Sequence, residues 1–454
     1  MESWLAQLAC PKCKSPELRE ALHSHERESA LNCDQCRSVF PILDGVPILF
    51  AQPESYLLLW AAKLQAKEQE LADRIQKSAQ SSGVARSPTT EGRVQKVLRA
   101  ESENLEILKS LLPETVASFG KARKFDFLKM HETGIGDTQH LDSYLETIFR
   151  DWVWGKNEVD LAVQEILPRM SRAISKDSAR IAVMGSGAGG LISSLARELP
   201  QTEWLCLDIN PFLLQIHRRM LQENPLEYWE IPMNARCLED VARKQVLKAT
   251  DCAELKDRVR LIASDGLNPC LKPKSHDVVF CSWWVDIIPD DLQNVASRLN
   301  KTLVDQGLFI IHGPLGFSAP DENRSYTEEE ILEWMPRYGF ELLEQAHFEA
   351  PYLHSPLGRL KRTERISWMI FRKVAEAKPA AAFKPLPEYL LNFDTPIAPV
   401  DSFQIRAADS GLRQQVYSLI DGKRTFRELA SLISAGLQID LPTAQAMLFH
   451  VLKP

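Results

Sequence analysis

The sequence predicts an α/β chain with a small cysteine-bearing unit in front and a helical unit behind. Three observations carry this. Two tight cysteine pairs fall within the first 36 residues. Short apolar runs alternate with helical runs from about 141 to 375, the signature of an α/β sheet. An Ala/Pro-rich stretch, AEAKPAAAFKPLPEYL, then separates a compact tail.

The bulk composition fits a soluble globular chain: 454 residues, 44% apolar and 25% charged. That length suggests several domains and excludes a disordered or collagen-like chain. The net charge of -7 speaks against a general nucleic-acid binder. No apolar run is long enough for a membrane span. MESWLAQLACPKCK lacks a basic segment followed by an apolar run, so it does not read as a signal peptide. The expectation is a cytoplasmic chain whose cysteines are thiols or metal ligands.

Residues 1–52 are turn-rich and carry Cys10, Cys13, Cys33 and Cys36. Residues 53–140 read as a helical connector: LLLWAAKLQAKEQELADRIQKSAQ has apolar spacing near 3.6, SSGVARSPTTEG breaks it, and a second helical stretch runs from Arg93 to Leu112. Within 141–375, RIAVMG, EWLCLDI, VRLIAS, HDVVFCSWW and GLFIIHG are strand-like, with helical runs such as GLISSLARELP and PFLLQIHRRMLQ between them. FELLEQAHFE and RISWMIFRK then read as a closing hairpin. Five βα units and a hairpin fit a seven-stranded, Rossmann-like methyltransferase sheet better than a plain dinucleotide fold. Residues 376–385 are the linker. The tail, 386–454, reads as helix, Asp-Gly turn, helix, and a third helix started by Pro442.

Cys10-Pro-Lys-Cys13 and Cys33-Asp-Gln-Cys36 enclose nineteen residues, a structural-zinc spacing. Four thiolates close a tetrahedron and leave no position for water, which suits a structural ion. Unligated thiols and a redox pair are the weaker alternatives. The segment from CPKC to FPILDGVPILF resembles the small zinc-ribbon proteins that activate tRNA and protein methyltransferases. That resemblance implies a ribbon that docks in cis on a catalytic partner.

Val183-Met184-Gly185-Ser186-Gly187-Ala188-Gly189-Gly190 follows a strand and opens a helix. Glycines there let the backbone turn tightly and approach a ligand. Asp208 ends the next strand, where a carboxylate can accept ribose hydroxyls. Gly185, Gly187 and Gly190 also satisfy G-x-G-x-x-G, so NAD and S-adenosylmethionine both remain candidates on the turn alone. Ser264-Asp265-Gly266 after the third strand and Cys281-Ser282-Trp283-Trp284 after the fourth favour S-adenosylmethionine.

The catalytic segment resembles the carnosine N-methyltransferase family at four places. Arg150-Asp151-Trp152, with Gly155 and Glu158, is similar to the family's R-D-W-S…G…E-R helix. V-M-G-S-G-A-G-G-L is similar to its V-P-G-A-G-L-G-R-L turn. Val285-Asp286 is similar to its I-D pair, and Gly313-Pro314-Leu315 to its G-P-L-L. The resemblance implies donor contacts at Arg150, Gly185, Gly187, Gly189, Asp208, Asp265, Gly266 and Cys281. It implies Asp286 as a ligand of a substrate imidazole and Tyr352 as a substrate tyrosine. Asp286 also reads as a helix N-cap, and Tyr352 as an ordinary loop residue.

The chemistry agrees with an imidazole acceptor. The attacking nitrogen must be unprotonated, so the other N–H needs an acceptor, and a carboxylate fixes that tautomer. Two departures alter the acceptor side. Ser318 stands where the family has a histidine, and Arg362-Thr363-Glu364-Arg365 replaces a tyrosine cluster. His312 and His354 are lone histidines near this region. The tail resembles the PqqD winged-helix peptide-recognition domain, which implies capture of a leader peptide; a packing or dimerisation module is the alternative.

The sequence therefore predicts a methyltransferase acting on an imidazole-type nitrogen of a small molecule or peptide. A different acceptor (another amine, a carboxylate, RNA) and a silent donor-binding scaffold are the rival readings.

Overall fold

The apolar runs form neighbouring strands because each is buried on both faces, the pattern of a covered parallel sheet. The computed structural model describes residues 4–22, 29–80, 87–112, 141–154, 158–174, 178–317, 322–380, 388–391, 393–399 and 411–452. Gly155 and Ser318, singled out above, lie outside them. The described residues form two compact units, one reaching residue 380 and one from residue 388 onward.

In the larger unit the ribbon supplies β1 (Leu18–Leu22), β2 (Ser29–Cys33), β3 (Val39–Leu43) and β4 (Val46–Leu49). Helices α1 (Pro53–Gln80) and α2 (Pro88–Leu111) follow. The α/β segment adds β5 (Ala179–Met184), β6 (Thr202–Asp208), β9 (Val259–Ser264), β10 (His276–Ser282), β11 (Leu303–Gly313), β12 (Phe340–Tyr352) and β13 (Arg362–Lys373). The strand order is β1-β2-β3-β4-β9-β6-β5-β10-β11-β13-β12. Strands β4 to β11 run parallel in this order, and β13 and β12 close the sheet antiparallel.

The expected seven-stranded sheet is thus part of an eleven-stranded one. The ribbon does not merely dock. Its β4 pairs in parallel with β9, Ile48 opposite Ala263 and Leu49 opposite Ser264. This covers an edge that would otherwise expose unpaired N–H and C=O groups. A second sheet, the hairpin β7 (Leu226–Glu230) and β8 (Arg243–Leu247), was not expected. Helix α2 holds it: Asn104 donates to the Trp229 carbonyl and accepts the Trp229 N–H, both at 2.8 Å, as a neighbouring strand would.

One apolar core runs through the sheet. Leu5, Leu8, Leu31 and Phe40 of the ribbon share it with Met184, Ile262, Cys281, Leu299 and Phe371. The smaller unit has its own core of Val416, Phe426, Leu429, Ile433, Leu448 and Phe449, built by helices Gly411–Ser418, Phe426–Leu437 and Leu441–Leu452. Thr425 and Glu428 form a capping box that starts the middle helix. Among its described residues this unit has no strand beyond the single bridge Pro396–Thr425, so nothing there forms the wing expected of a winged helix.

Candidate active site and metal centre

Parallel strands present their C-terminal ends on one side, and the chain order reverses between β6 and β10, which flank β5. Ligands of open α/β sheets bind at such a reversal. The turns after β5, β6, β9, β10 and β11 all meet there, and they carry most of the residues singled out in the sequence.

The glycine turn runs through left-handed backbone, which its residues allow: Gly185, Gly187 and Gly189 have φ of 67°, 58° and 84°. Their surroundings differ. A Cβ on Gly187 meets nothing within 4 Å, whereas on Gly185 it meets Trp284 at 2.5 Å and on Gly189 His217 at 2.2 Å. Gly266 likewise makes room for Trp284, at 2.7 Å. So Gly187 alone of these four faces open space. The other three let aromatic rings pack beneath the turns. The Trp284 indole spans Gly185 and Gly266 and forms the floor between the first and third turns.

The Asp208 carboxylate accepts N–H bonds from Gly187 at 2.7 Å and Asn210 at 2.8 Å. Each oxygen keeps a lone pair for a hydroxyl. Burial raises its carboxyl, and the backbone N–H bonds oppose this. Ser186 Oγ and Asn210 Nδ2 beside it are buried without a partner. Orphaned polar atoms at a ligand-binding edge fit a polar nucleoside.

Arg150, Asp151 and Trp152 lie on the short helix Thr147–Trp152. Arg150 Nε sits 2.8 Å from Asp151 Oδ1 and 3.9 Å from Glu158. Asp151 in turn accepts the Gly190 N–H at 3.0 Å, and the Trp152 indole donates to the Ala188 carbonyl at 2.9 Å. These bonds anchor Arg150 to the glycine turn.

The Asp265 carboxylate accepts from Leu267 N–H and Asn268 Nδ2, which shapes the turn after β9. The ribbon grips this turn from outside. Ala9 N–H donates to the Cys270 carbonyl and Lys272 N–H to the Gln7 carbonyl, both at 2.9 Å. Lys14 Nζ reaches the Asn268 and Pro269 carbonyls at 3.4 Å. Cys281 is fully buried in the core, and burial pushes its thiol upward. Its side chain is therefore a packing group, and its backbone lies between Ile311 and Met184 of the neighbouring strands.

Asp286 starts no helix, since the next one opens at Leu292 with Asp291 as its cap. Its Oδ2 accepts the Gly316 N–H at 2.8 Å, joining the turns after β10 and β11. Asp286 is 8% exposed, and burial, then Glu364, raise its carboxyl. Tyr352 stacks on Trp283, centroids 4.6 Å apart, and Arg362 lies over the same ring at 4.9 Å. Burial raises the Tyr352 hydroxyl, and the charges of Arg150 and Arg362 oppose that rise. Trp283 adopts φ 54°, a left-handed conformation that places its ring here. Neither Trp283 nor Arg362 was assigned a role from the sequence; the adjacent tryptophans after a strand and the Arg362-Thr363-Glu364-Arg365 run in place of tyrosines were the signals.

His312 is buried at the end of β11, shares a 2.9 Å hydrogen bond with Ser282 and has no partner at Nε2. Burial lowers its pKa to about 3. His354 instead bonds the Arg362 carbonyl.

The ligand atoms of Cys10, Cys13, Cys33 and Cys36 lie within 4.8 Å of one another, with Cys10–Cys36 and Cys13–Cys33 at 3.6 Å. A tetrahedron of ~2.3 Å zinc–sulfur bonds has edges of about 3.8 Å, so the cluster fits zinc.

Residues 129–363 match the family described as carnosine N-methyltransferase, and residues 5–45 match the Trm112p-like protein family. A UPF0434 protein of Methylobacillus flagellatus is 37% identical over 62 residues, 14% of this chain and 83% of that protein. Among solved structures, a putative sarcosine dimethylglycine methyltransferase from Galdieria sulphuraria aligns with TM-score 0.33 and 15% identity, over 55% of this chain and 97% of that one. Magnesium protoporphyrin IX methyltransferase from Synechocystis PCC 6803 aligns with TM-score 0.30 and 13% identity, over 55% and 86%. With the family matched over more than half of its residues, the chain belongs to the carnosine N-methyltransferase family and carries a Trm112p-like ribbon ahead of the catalytic segment.

Proposed function

We propose that this protein moves a methyl group from S-adenosylmethionine to a ring nitrogen of an imidazole-type acceptor. The observation that carries the reading is Asp286. It is a buried carboxylate at the end of the fourth parallel strand of the α/β segment, held by Gly316 N–H and left with lone pairs for a further donor.

S-adenosylmethionine supplies an electrophilic methyl on a sulfonium. The open side of Gly187, with Asp208 and Arg150, is where the donor fits. In the acceptor, the nitrogen facing the methyl must carry the lone pair, so its N–H lies on the other side of the ring. Asp286 takes that N–H, which selects the tautomer and offsets the positive charge that develops on the ring. A nitrogen–carbon bond forms as the sulfur–carbon bond breaks, and the ring proton leaves toward Asp286. Holding the ring in line supplies most of the acceleration. The Trp283–Tyr352 stack forms one wall of this site.

The four cysteines are proposed as the ligands of a structural zinc. The test of the function begins with calorimetric titration of S-adenosylmethionine, with NADH as control. Mass analysis of histidine, carnosine and His-containing peptides after turnover follows. Donor binding and a gain of one methyl on the ring support the reading. NADH binding, or methyl gain only on a carboxylate or amine, contradicts it.

A further inference from the structure

Arg362 is the first residue of β13 and pairs across the hairpin with Tyr352. Three groups form one stack: the Trp283 indole, the Tyr352 ring 4.6 Å away at 25°, and the Arg362 guanidinium 4.9 Å from that ring. The indole covers one face of Tyr352, so the guanidinium takes the other. Tyr352 therefore has no free face for an acceptor ring.

Arg362 is fixed a second time. Its Nε pairs with Glu364, which shares its face of the strand. The two Nη groups have no hydrogen-bond partner among the described residues, and the side chain is 66% exposed. A guanidinium seated over a ring and paired at Nε has its Nη groups left as donors, the fork that a carboxylate fits. Trp283, on which the stack rests, stands three residues before Asp286 in the turn after β10, so this edge borders the same site.

The neighbouring cations do not compete for the role. Arg359 donates to the Ala235 and Arg236 carbonyls, and Arg365 lies on the opposite face of β13. Together with Lys361 they make residues 359–365 strongly basic, with Glu364 as the single carboxylate, and draw an anion to this rim.

We propose that Arg362 selects the acceptor by binding its free carboxylate, so that the acceptor carries a carboxylate a short stem away from the reacting nitrogen. A free amino acid and the C-terminal residue of a peptide share this chemistry; an internal residue of a chain does not. The inference rests on the proposed role of Asp286, which holds the ring N–H opposite the reacting nitrogen.

The test compares matched acids and amides with the full chain: histidine against histidinamide, and Gly-His against its C-terminal amide. The readout is kcat/KM from methyl gain, with equilibrium binding of the same pairs to the S-adenosylhomocysteine complex as a second readout. The acids are expected to be preferred by about ten- to one-hundred-fold, the worth of a charged, two-pronged hydrogen bond. R362M, which keeps an apolar group on Tyr352, brings the ratio near one. R362K keeps part of it, as a point charge without the fork. The pair with the larger preference assigns the source, free amino acid or chain end. Equal use and binding of acid and amide, or a preference that survives R362M, overturns the proposal. Lysine and lysinamide separate it from the imidazole reading: methyl gain on their amines with the acid preference intact sinks the imidazole acceptor and leaves Arg362 standing.

Discussion

Losing the proposed zinc from the ribbon should unfold more than the ribbon. Cys33→Ser removes one of four thiolates, and small zinc modules of this kind fold only with their ion. Leu5, Leu8, Leu18, Leu31, Phe40 and Leu49 share one buried core with Ile262, Met184 and Leu271 of the α/β segment. At ~2 kcal/mol for each buried side chain, freeing them costs about 12 kcal/mol, comparable with the whole stability of a domain. An unfolding entropy of about 2.1 cal/mol/K per residue over the larger unit turns this into a fall of roughly 15 °C. Donor binding falls with it, because Ala9, Gln7 and Lys14 grip the turn that begins at Asp265. Loss of a single such contact, about 1.4 kcal/mol, already weakens binding about ten-fold. The assay pairs a thermal melt with calorimetric titration of S-adenosylmethionine, for wild type, chelated protein and C33S. A main transition and a donor affinity that stay in place when the ribbon is metal-free would show that the ribbon does not support the α/β segment.

Further outcomes follow from single residues. Gly187→Ala places a methyl group where no atom lies within 4 Å, at φ 58°. Strain of about 1–2 kcal/mol lowers the melting temperature slightly, while donor affinity falls much more; unchanged affinity would mean that the open space is not the donor site. His312 has a folded pKa near 3 and an ordinary value near 6.5 when unfolded. The unfolded state therefore takes up the proton first, so this contribution is intact above pH 6.5 and is lost as pH falls. Between pH 7 and 5.5 the loss is about 1.2 kcal/mol. His312→Phe should flatten the acid side of a stability–pH profile by that amount, and an unaltered slope would deny that the ring is buried neutral. Trp283→Ala uncovers one face of Tyr352 and should raise KM for the acceptor with little change in donor affinity; a change in donor affinity alone would place the stack on the wrong substrate.

The parallel strands of the α/β segment were legible because each is an apolar run, several of them ended by glycine or aspartate, as in Val183-Met184-Gly185 and Leu207-Asp208. The cysteine spacing was legible for the same reason: the turn chemistry is local. The hairpin of LEYWE and RKQVL was not, since its strands are short, charged and half exposed. Helix α2 begins at Pro88 with Ser87 as cap, earlier than the expected start at Arg93. Serine before proline at a helix start was a signal that the loop-like composition obscured. The partners of glycine were beyond reach. Gly185, Gly189 and Gly266 look like ligand-approach positions in the sequence, yet Trp284 and His217 fill the space, and only a fold brings those rings to the turns. The strand pairing of Leu49 with Ser264 was equally hidden, because residues so far apart in the chain leave no local trace.

The role of Asp286 is tested by the turnover of Asp286→Asn with histidine as acceptor, read together with the position of the methyl group by NMR. Wild type is expected to place the methyl on a ring nitrogen, and the variant to lose about one-hundred-fold or more in kcat/KM while its S-adenosylmethionine affinity is retained. Turnover near wild type, or a methyl group on the α-amine or the carboxylate, would contradict that role.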